Sequence, residues 1–287
     1  MSLCFFASDL HGSLSRYQTL FSIIEREQPE AVFLGGDLLP SHLISFASES
    51  DAFRRFVQEV LMRGFEEVRE TLGAKYPQVF IILGNDDPRS VEGSLIEGEN
   101  RHLWEYIPGR RVDFQHFPVY GYAFVPPTPF LLKDWEKYDV SRHVEPGCIS
   151  PEDGWRSVPV DENRIKFTTI QADLDDLVGN ENLSEAVLLF HTPPYKTTLD
   201  RAALDGKSVD GVPLDVHVGS IAVRRLIEKR QPLITLHGHI HESPRLTGVW
   251  KERIGRTWIF SAAHDGPELA LVRFDLETPE QATRELI

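Results

Sequence analysis

The sequence has few cysteines and no long apolar run, and both absences narrow the classes of protein to which it can belong. Cys4 and Cys148 are the only 2 cysteines among 287 residues, too few for a disulfide framework or a sulfur-ligated zinc ribbon. Cys4 lies in an apolar run and is expected to be buried. No run approaches the ~20 residues of a membrane-spanning helix. The opening stretch SLCFFA lacks the basic flank of a signal peptide.

Basic residues are also scarce. The chain has 30 Lys and Arg against 44 Asp and Glu, a net charge of −14. A field of that sign repels nucleic acid and anionic lipid, so neither is an expected partner. A nuclease would need a basic or aromatic track, which the sequence does not offer. We expect a soluble, cytoplasmic protein that acts on a small molecule, and the oligomeric state is left open.

The composition otherwise fits one globular domain. A length of 287 residues with 41% hydrophobic residues allows a sizeable core. We expect a single α/β domain over residues 1–287, with an insertion at about 116–165. That segment is rich in proline, glycine and aromatic residues and shows little periodicity, so loops and short strands are expected there.

Short apolar runs alternate with amphipathic stretches in the first third of the chain. Strands and helices are predicted in turn at 3–7, 14–28, 31–34, 51–72 and 79–83. Ser13 could cap the first helix. Fully apolar strands separated by helices are typical of a parallel sheet covered on both faces. Later segments predict helices at 169–178 and 218–229, and strands at 186–190, 233–236, 257–260 and 269–274.

Five of the apolar runs are followed at once by residues that can bind metal ions. Ligands in open α/β sheets gather outside the carboxyl ends of the strands, so these five turns are expected to converge in one crevice. In chain order the runs are followed by Asp9 and His11, by Asp37, by Asn85 with Asp86 and Asp87, by His191, and by His237, His239 and His241.

The residue types fit two divalent ions that share one carboxylate. Imidazole and carboxylate ligands without a thiolate suit Mn, Fe, Zn or Ni. Two carboxylates leave a pair of dications with net positive charge, so the centre should attract an anion, phosphate above all. The expected ligands are Asp9, His11 and His241 for one ion, Asn85, His191 and His239 for the other, and Asp37 as the bridge.

These motifs, in this order, resemble the calcineurin-like metallophosphoesterase family, and within it the prokaryotic single-domain phosphoesterases. The resemblance rests on DxH at 9–11, GD at 36–37, GN at 84–85, the isolated His191 and GHxH at 238–241. It implies a four-layer α-β-β-α sandwich with two mixed central sheets flanked by helices. It also implies hydrolysis of small phosphate esters by a metal-bridging hydroxide, with the ligands named above.

One position departs from the family pattern. Where the family commonly has GNH followed by an acidic residue, this chain has Asp86 and Asp87 after Asn85. Beside two dications the pKa of Asp86 should be lowered, which leaves it ionised and a poor proton donor. An ionised Asp86 would repel a phosphate dianion more than a singly charged diester, so phosphodiesters are expected to be favoured over monoesters. The candidate catalytic residues are Asp86 and the ligand His239.

The remaining polar residues near the motifs have simpler expected roles. Asp87 is expected to be a structural hydrogen-bond partner of its turn, and His237 a hydrogen-bonded strand residue. His217 is expected beside a helix cap, while His264 could line the cleft, although a position outside it is favoured. The aromatic residues of the insertion are expected to pack within it instead of forming a substrate-stacking wall; they are Tyr120, Tyr122, Phe124, Phe130 and Trp135.

An alternative from another functional class stays open. A catalytically weak scaffold or regulatory protein with the same fold would account for the aspartate at position 86. The full set of seven ligand residues argues against it, because a pure scaffold has no need of a complete dinuclear site.

Overall fold

Strands outnumber helices in the computed structural model, which describes residues 2–40 and 49–287. In chain order the strands are β1 (Leu3–Ala7), β2 (Ala31–Gly35), β3 (Gln78–Ile82), β4 (Glu105–Tyr106), β5 (Arg110–Phe114), β6 (Phe117–Tyr122), β7 (Val187–Phe190), β8 (Ser208–Val209), β9 (Val212–Pro213), β10 (Ile234–His237), β11 (Lys251–Ile254), β12 (Thr257–Ser261), β13 (Ala270–Asp275) and β14 (Thr283–Leu286).

The helices are α1 (Leu14–Glu27), α2 (Glu49–Phe56), α3 (Arg63–Leu72), α4 (Glu92–Asn100), α5 (Glu162–Phe167), α6 (Ile170–Val178), α7 (Ile221–Arg230) and α8 (Ser243–Thr247). A π-helical stretch, Val57–Met62, joins α2 to α3, so the long helix expected over 51–72 is one continuous helical segment with a wider turn inside it. None of the helices in the described ranges combines the length and the apolar sequence that a membrane crossing requires.

The first sheet has the strand order β14-β13-β1-β2-β3-β4. Its strands β1 to β4 pair in parallel, which confirms the parallel arrangement expected for the N-terminal third. Strands β13 and β14 complete the sheet in antiparallel pairing. The sheet is therefore mixed, as the family resemblance implies, and the parallel pattern describes only its N-terminal part.

The second sheet has the order β11-β12-β10-β7-β6-β5. Strands β6, β7, β10 and β12 are parallel to their neighbours, while the edge strands β5 and β11 are antiparallel. Strand β6 belongs to this sheet although it falls at the start of the segment expected to be an insertion. The stretch outside both sheets therefore begins after Tyr122 and not at residue 116.

The two sheets pack face to face and helices cover their outer faces. Phe260 of β12 contacts Phe274 of β13 across the interface, with ring centroids 5.8 Å apart. Phe33 stacks on Phe80 within the first sheet at 4.9 Å. A second buried cluster joins the outer face of the second sheet to α6 and α7. This is the four-layer α-β-β-α arrangement. Cys4 is fully buried, as expected.

Tyr17 on α1 gives the fold a predicted sensitivity to high pH. Its side chain is 1% exposed, and its hydroxyl donates to the carbonyl of Leu38 at 2.8 Å. Burial, with a contribution from Asp87, raises the pKa of Tyr17 well above 10. The folded chain therefore keeps this proton while the unfolded chain releases it above its ordinary pKa of about 10.

We expect the free energy of unfolding to fall as the pH rises above 10, by up to about 1.4 kcal/mol per pH unit for this group. Urea unfolding at pH 8 and pH 11 measures the effect. Tyr17→Phe should lose about 1 kcal/mol at pH 8 and show a shallower decline towards pH 11. An equal decline in both proteins would contradict the assignment.

Candidate metal centre

The turns that follow β1, β2, β3, β7 and β10 meet at one edge of the sandwich. Backbone hydrogen bonds hold the first two turns together: the N–H of Asp9 donates to Gly36 O at 2.9 Å, and that of His11 donates to Asp37 O at 2.8 Å. The turn after β3 joins them through Asp86, whose N–H donates to Asp37 Oδ1 at 2.9 Å. The convergence expected from the sequence is present.

One group of possible ligands is formed by Asp9, His11, Asp37 and His241, whose ligand atoms lie within 4.8 Å of one another. His241 Nε2 is 3.2 Å from Asp9 Oδ1 and 3.0 Å from His11 Nε2. Asp9 Oδ2 is buried and has no hydrogen-bond partner in the described part of the chain. A buried carboxylate oxygen without a partner is costly, and a cation at this position would compensate it.

A second group is formed by Asp37, His191 and His239, also within 4.8 Å. His191 Nε2 lies 3.2 Å from Asp37 Oδ2 and 3.1 Å from Asn85 Oδ1. The opposite nitrogen, His191 Nδ1, lies 2.8 Å from Gly35 O and donates to it, which leaves Nε2 facing the group. Asp37 belongs to both groups. The structure therefore brings together the side chains of all seven expected ligand positions, and their role as ligands stays a prediction.

Unusual backbone conformations place these side chains. Asp9, His11, Asp37 and His239 all have positive φ, from 44° to 74°, a conformation that costs non-glycine residues on the order of 1–3 kcal/mol each. Gly84 is needed for a different reason. A Cβ there would lie 2.3 Å from Asp37 Oδ1 and 2.6 Å from His191 Nε2, so no side chain fits beside the two.

The carboxylates and imidazoles shift one another's protonation. Burial alone would raise the pKa of Asp9 and Asp37, but attraction to His241 and His191 outweighs it and lowers both, that of Asp9 to about 2. Burial likewise opposes charge on these two imidazoles, yet Asp37 raises the pKa of His191 to about 10 and Asp9 raises that of His241 to about 9. Burial lowers the pKa of His239 to about 3. The centre thus holds carboxylates that attract cations strongly.

Asp86 borders the cleft beside the first group. Its Oδ2 lies 3.7 Å from His11 Nδ1, and its side chain is 27% exposed. Burial, followed by the negative charge of Asp37, raises the pKa of Asp86 to about 7. The lowered pKa expected from the sequence depends on the positive charge of two ions, so it stays a prediction for the metal-loaded protein.

Asp87 points away from the cleft and ties two turns together. Its carboxylate is fully buried and accepts hydrogen bonds from the N–H groups of Leu38, Leu39 and Gly84 at 2.9–3.1 Å. This confirms the expected structural role. The contacts fix the turn after β2, which carries Asp37, against the turn after β3, which carries Asn85.

The three neighbouring histidines differ in position. His237 is buried, with Nδ1 2.8 Å from Thr192 O and Nε2 2.7 Å from Thr235 Oγ1, which confirms a hydrogen-bonded strand residue. His217 lies before the Ser220 cap of α7, with Nδ1 2.8 Å from Asp200 Oδ1. His264 lines the cleft beside the first group, contrary to the position outside it that the sequence favoured.

The cleft has a volume of about 510 Å³, and the basic residue in its lining was not singled out from the sequence. Arg16, in the first turn of α1, donates to Asp9 O at 2.6 Å and to the carbonyls of Gly266 and Pro267. It therefore fastens the turn after β1 to the opposite rim. Its basic side chain was the only sequence signal, and its partner Gly266 on the opposite rim lies 250 residues away along the chain.

The aromatic residues expected to pack in the interior are buried or packed with one exception, and two of them, Tyr120 and Tyr122, pack as part of the second sheet. Tyr120, Tyr122 and Trp135 are buried, and Phe124 packs on Trp135 with ring centroids 5.3 Å apart. Phe130 is 57% exposed. No aromatic ring of this set lines the cleft beside the metal ligands.

Comparison with known proteins places the chain among similar sequences and folds. A family model described as calcineurin-like phosphoesterase matches residues 4–243. The uncharacterized protein MJ1162 of Methanocaldococcus jannaschii is 34% identical over 89 residues, which are 28% of this chain and 37% of that protein. The match thus spans little more than a third of that relative.

Two solved structures share the fold. TT1561 of Thermus thermophilus matches with a TM-score of 0.57 at 15% identity, covering 99% of this chain and 98% of that one. Another solved chain reaches a TM-score of 0.62 at 16% identity with the same coverage. At these identities the likeness concerns the fold alone.

Proposed function

Because this chain belongs to the calcineurin-like phosphoesterase family, we propose that it hydrolyses phosphate esters with two divalent metal ions and favours diesters over monoesters. The observation that carries the proposal is the pair of ligand groups that share Asp37. The donor atoms are carboxylate oxygens and imidazole nitrogens, which suit Mn, Fe, Zn or Ni.

The proposed ligands divide between two ions. Asp9, His11 and His241 would hold one ion, Asn85, His191 and His239 the other, and Asp37 both. The unpartnered Asp9 Oδ2 supports this assignment, as does the His191 ring, which Gly35 O orients. Bound there, divalent ions would generate hydroxide at neutral pH and offset the charge of the phosphoryl oxygens.

We propose Asp86 and His239 as catalytic residues that act beside those ions. Burial lowers the pKa of His239 to about 3, so its neutral ring can offer a nitrogen lone pair to an ion. Asp86 borders the cleft where the leaving group would depart. If ionised, it would donate no proton, and the rate should then depend steeply on the leaving group's own pKa.

The charge of Asp86 also favours diesters. A monoester dianion carries one more negative charge than a diester. A unit charge 4 Å from another costs about 1 kcal/mol in water and about 4 kcal/mol at an effective dielectric constant of about 20. Even the lower value corresponds to about fivefold discrimination.

The activity is tested with bis(p-nitrophenyl) phosphate beside p-nitrophenyl phosphate. The protein is stripped of metal and reloaded with Mn, Ni, Zn or Mg in turn. Metal-dependent hydrolysis, with the diester turned over faster, is the expected result. Equal or faster turnover of the monoester would contradict the diester preference. Metal binding without turnover of either ester would favour the scaffold alternative.

Asp86→His should shift this preference. A histidine removes the negative charge and restores a proton donor, so we expect the diester-to-monoester ratio of kcat/KM to fall by at least about fivefold. Esters with alkyl leaving groups should gain most. Asp113→His, at an exposed position on β5, is the matched control and should leave the ratio as it is. An unchanged ratio in Asp86→His would show that Asp86 does not set it.

We also propose that the chain acts as a single domain in the cytoplasm. One buried cluster runs through both sheets, which supports the single domain. Cys4 and Cys148 are both free, which fits a reducing compartment.

A further inference from the structure

A second cavity, of about 660 Å³, lies apart from the metal centre and shares no lining residue with the cleft. Its walls come from the end of β6, from residues 133–137 and 156–168 of the segment outside the sheets, and from α6. The volume is in the range of small-molecule sites. The cavity is independent of the proposed hydrolysis, since no metal ligand lines it.

Most of the charged side chains in this cavity already have a partner within it. Three cations lie in ion pairs: Arg89 with Glu92, Lys133 with Glu136, and Lys137 with Asp173. Two further carboxylates accept backbone hydrogen bonds. Asp134 accepts from the N–H groups of Arg89 and Ser157 at 2.8 and 3.0 Å, and Asp161 caps α5. Asp176 is exposed on α6 and therefore solvated.

In the part of the chain that the structure describes, some hydrogen-bond donors have no protein partner after these pairs are formed. The guanidinium groups of the partly buried Arg156 and the exposed Arg164 line the cavity, and neither group has a hydrogen bond or ion pair within residues 2–40 and 49–287. The carboxylates of Asp134 and Glu136 interact electrostatically with Arg156 without forming an ion pair with it. Trp135 is 2% exposed, and its indole Nε1–H has no partner among the described residues.

The rest of the lining is apolar. Phe124, Val158, Val160, Ile165 and Leu177 contribute to the walls. Lys137 Nζ and the Arg89 guanidinium already occupy the faces of the Phe124 and Trp135 rings, at 4.3 and 5.0 Å from the ring centroids. The rest of the cavity lining therefore suits a ligand that has an apolar part and a group with several hydrogen-bond acceptors.

We propose that this cavity binds a small organic anion, with a carboxylate, sulfonate or phosphate group held by Arg156 and Arg164 and an apolar body against the aliphatic side chains of the lining. The two guanidinium groups without a protein partner in the described ranges decide the charge of the ligand. The buried indole N–H of Trp135, whose missing acceptor is unfavourable, favours the same acceptor-rich group. Guanidinium groups form strong, directed hydrogen bonds with such anions.

The proposal is tested with anilinonaphthalene sulfonate, an anionic probe whose fluorescence rises in apolar surroundings. The full chain should bind it at one saturable site. Arg156→Ala with Arg164→Ala should weaken binding by about tenfold or more. Lys207→Ala, which removes an exposed cation outside the cavity, should bind as the unmodified protein does. Equal affinity in the double variant and in the unmodified protein would overturn the proposal.

Three controls separate this site from other surfaces. N-phenylnaphthylamine, which lacks the sulfonate, should bind about tenfold more weakly; equal binding would show that an anion is not selected. Asp37→Asn should leave probe binding intact, and loss of binding would place the probe at the metal centre. Leu131→Ser alters an exposed apolar residue outside the cavity, and loss of binding in that variant would also overturn the assignment.

Discussion

Replacing Asp37 by asparagine is expected to lower metal-dependent ester hydrolysis by about a hundredfold to a thousandfold. Asp37 is the carboxylate common to both ligand groups, and its side chain is 2% exposed. Asparagine has nearly the same size and can still accept the hydrogen bond from the Asp86 N–H. It offers one acceptor oxygen without charge, so it cannot hold two cations as a carboxylate can.

The measurement has two parts. Turnover of bis(p-nitrophenyl) phosphate is followed after reloading with Mn, and the metal content per chain is determined after removal of free metal. Asp153→Asn makes the same chemical change at an exposed position and should behave as the unmodified protein. Retention of more than about a tenth of the activity together with the full metal content would contradict the assignment of Asp37 as the shared ligand.

Replacing Asp87 by alanine is expected to destabilise the fold by about 3 kcal/mol or more. The substitution leaves three buried N–H groups without an acceptor, those of Leu38, Leu39 and Gly84. Each such group costs about 1–3 kcal/mol. For a chain of this size the loss corresponds to a decrease in Tm of roughly 5–10 °C.

Urea unfolding and thermal melts of the metal-stripped protein measure this effect apart from metal binding. The stability of Asp87→Asn should lie between that of the unmodified protein and that of Asp87→Ala, because the single carbonyl oxygen of asparagine cannot accept hydrogen bonds from all three donors. Asp113→Ala, at an exposed position, should change stability by no more than about 0.5 kcal/mol. A loss of less than about 1 kcal/mol in Asp87→Ala would mean that water or a shifted turn satisfies these donors.

The ends of the apolar strands were the part of the molecule that the sequence predicted best. A strand buried on both faces is apolar throughout, so the first polar residues after it mark the edge of the sheet. Asp9, Asp37 and His191 were found in this way, and the structure brings them together. Which strands share a sheet was not predictable from the apolar runs themselves, because β1 and β7 are both short runs of buried apolar residues yet belong to different sheets.

Other elements were missed because their local sequence favours a different conformation. Strand β6 contains Pro118 and Gly121 and lies in the segment where an insertion of loops and short strands was expected, but its parallel pairing with β7 makes it part of the second sheet. Helix α4 contains two glycines. One of them, Gly98, is needed for packing, since a Cβ there would lie 2.0 Å from the Trp104 ring. In both cases tertiary contacts outweigh local propensity.

The cleft rim could not be predicted for a related reason. Arg16 bonds to backbone carbonyls of Gly266 and Pro267, and carbonyl groups carry no sequence signal. The second cavity could not be predicted either. Its informative feature is the Trp135 indole N–H, a donor without an acceptor among the described residues, and only the packed structure reveals it.

The metal centre also affects how strongly the folded protein resists unfolding. Four of its proposed ligands follow strands of the first sheet, and three follow strands of the second. An ion held by both would cross-link the two layers, and the layers could separate only after releasing it. At a free ion concentration about a hundredfold above Kd, such binding would add about 2.7 kcal/mol to the free energy of unfolding. The supply of metal in the cell would then govern how long each molecule survives as well as how fast it works.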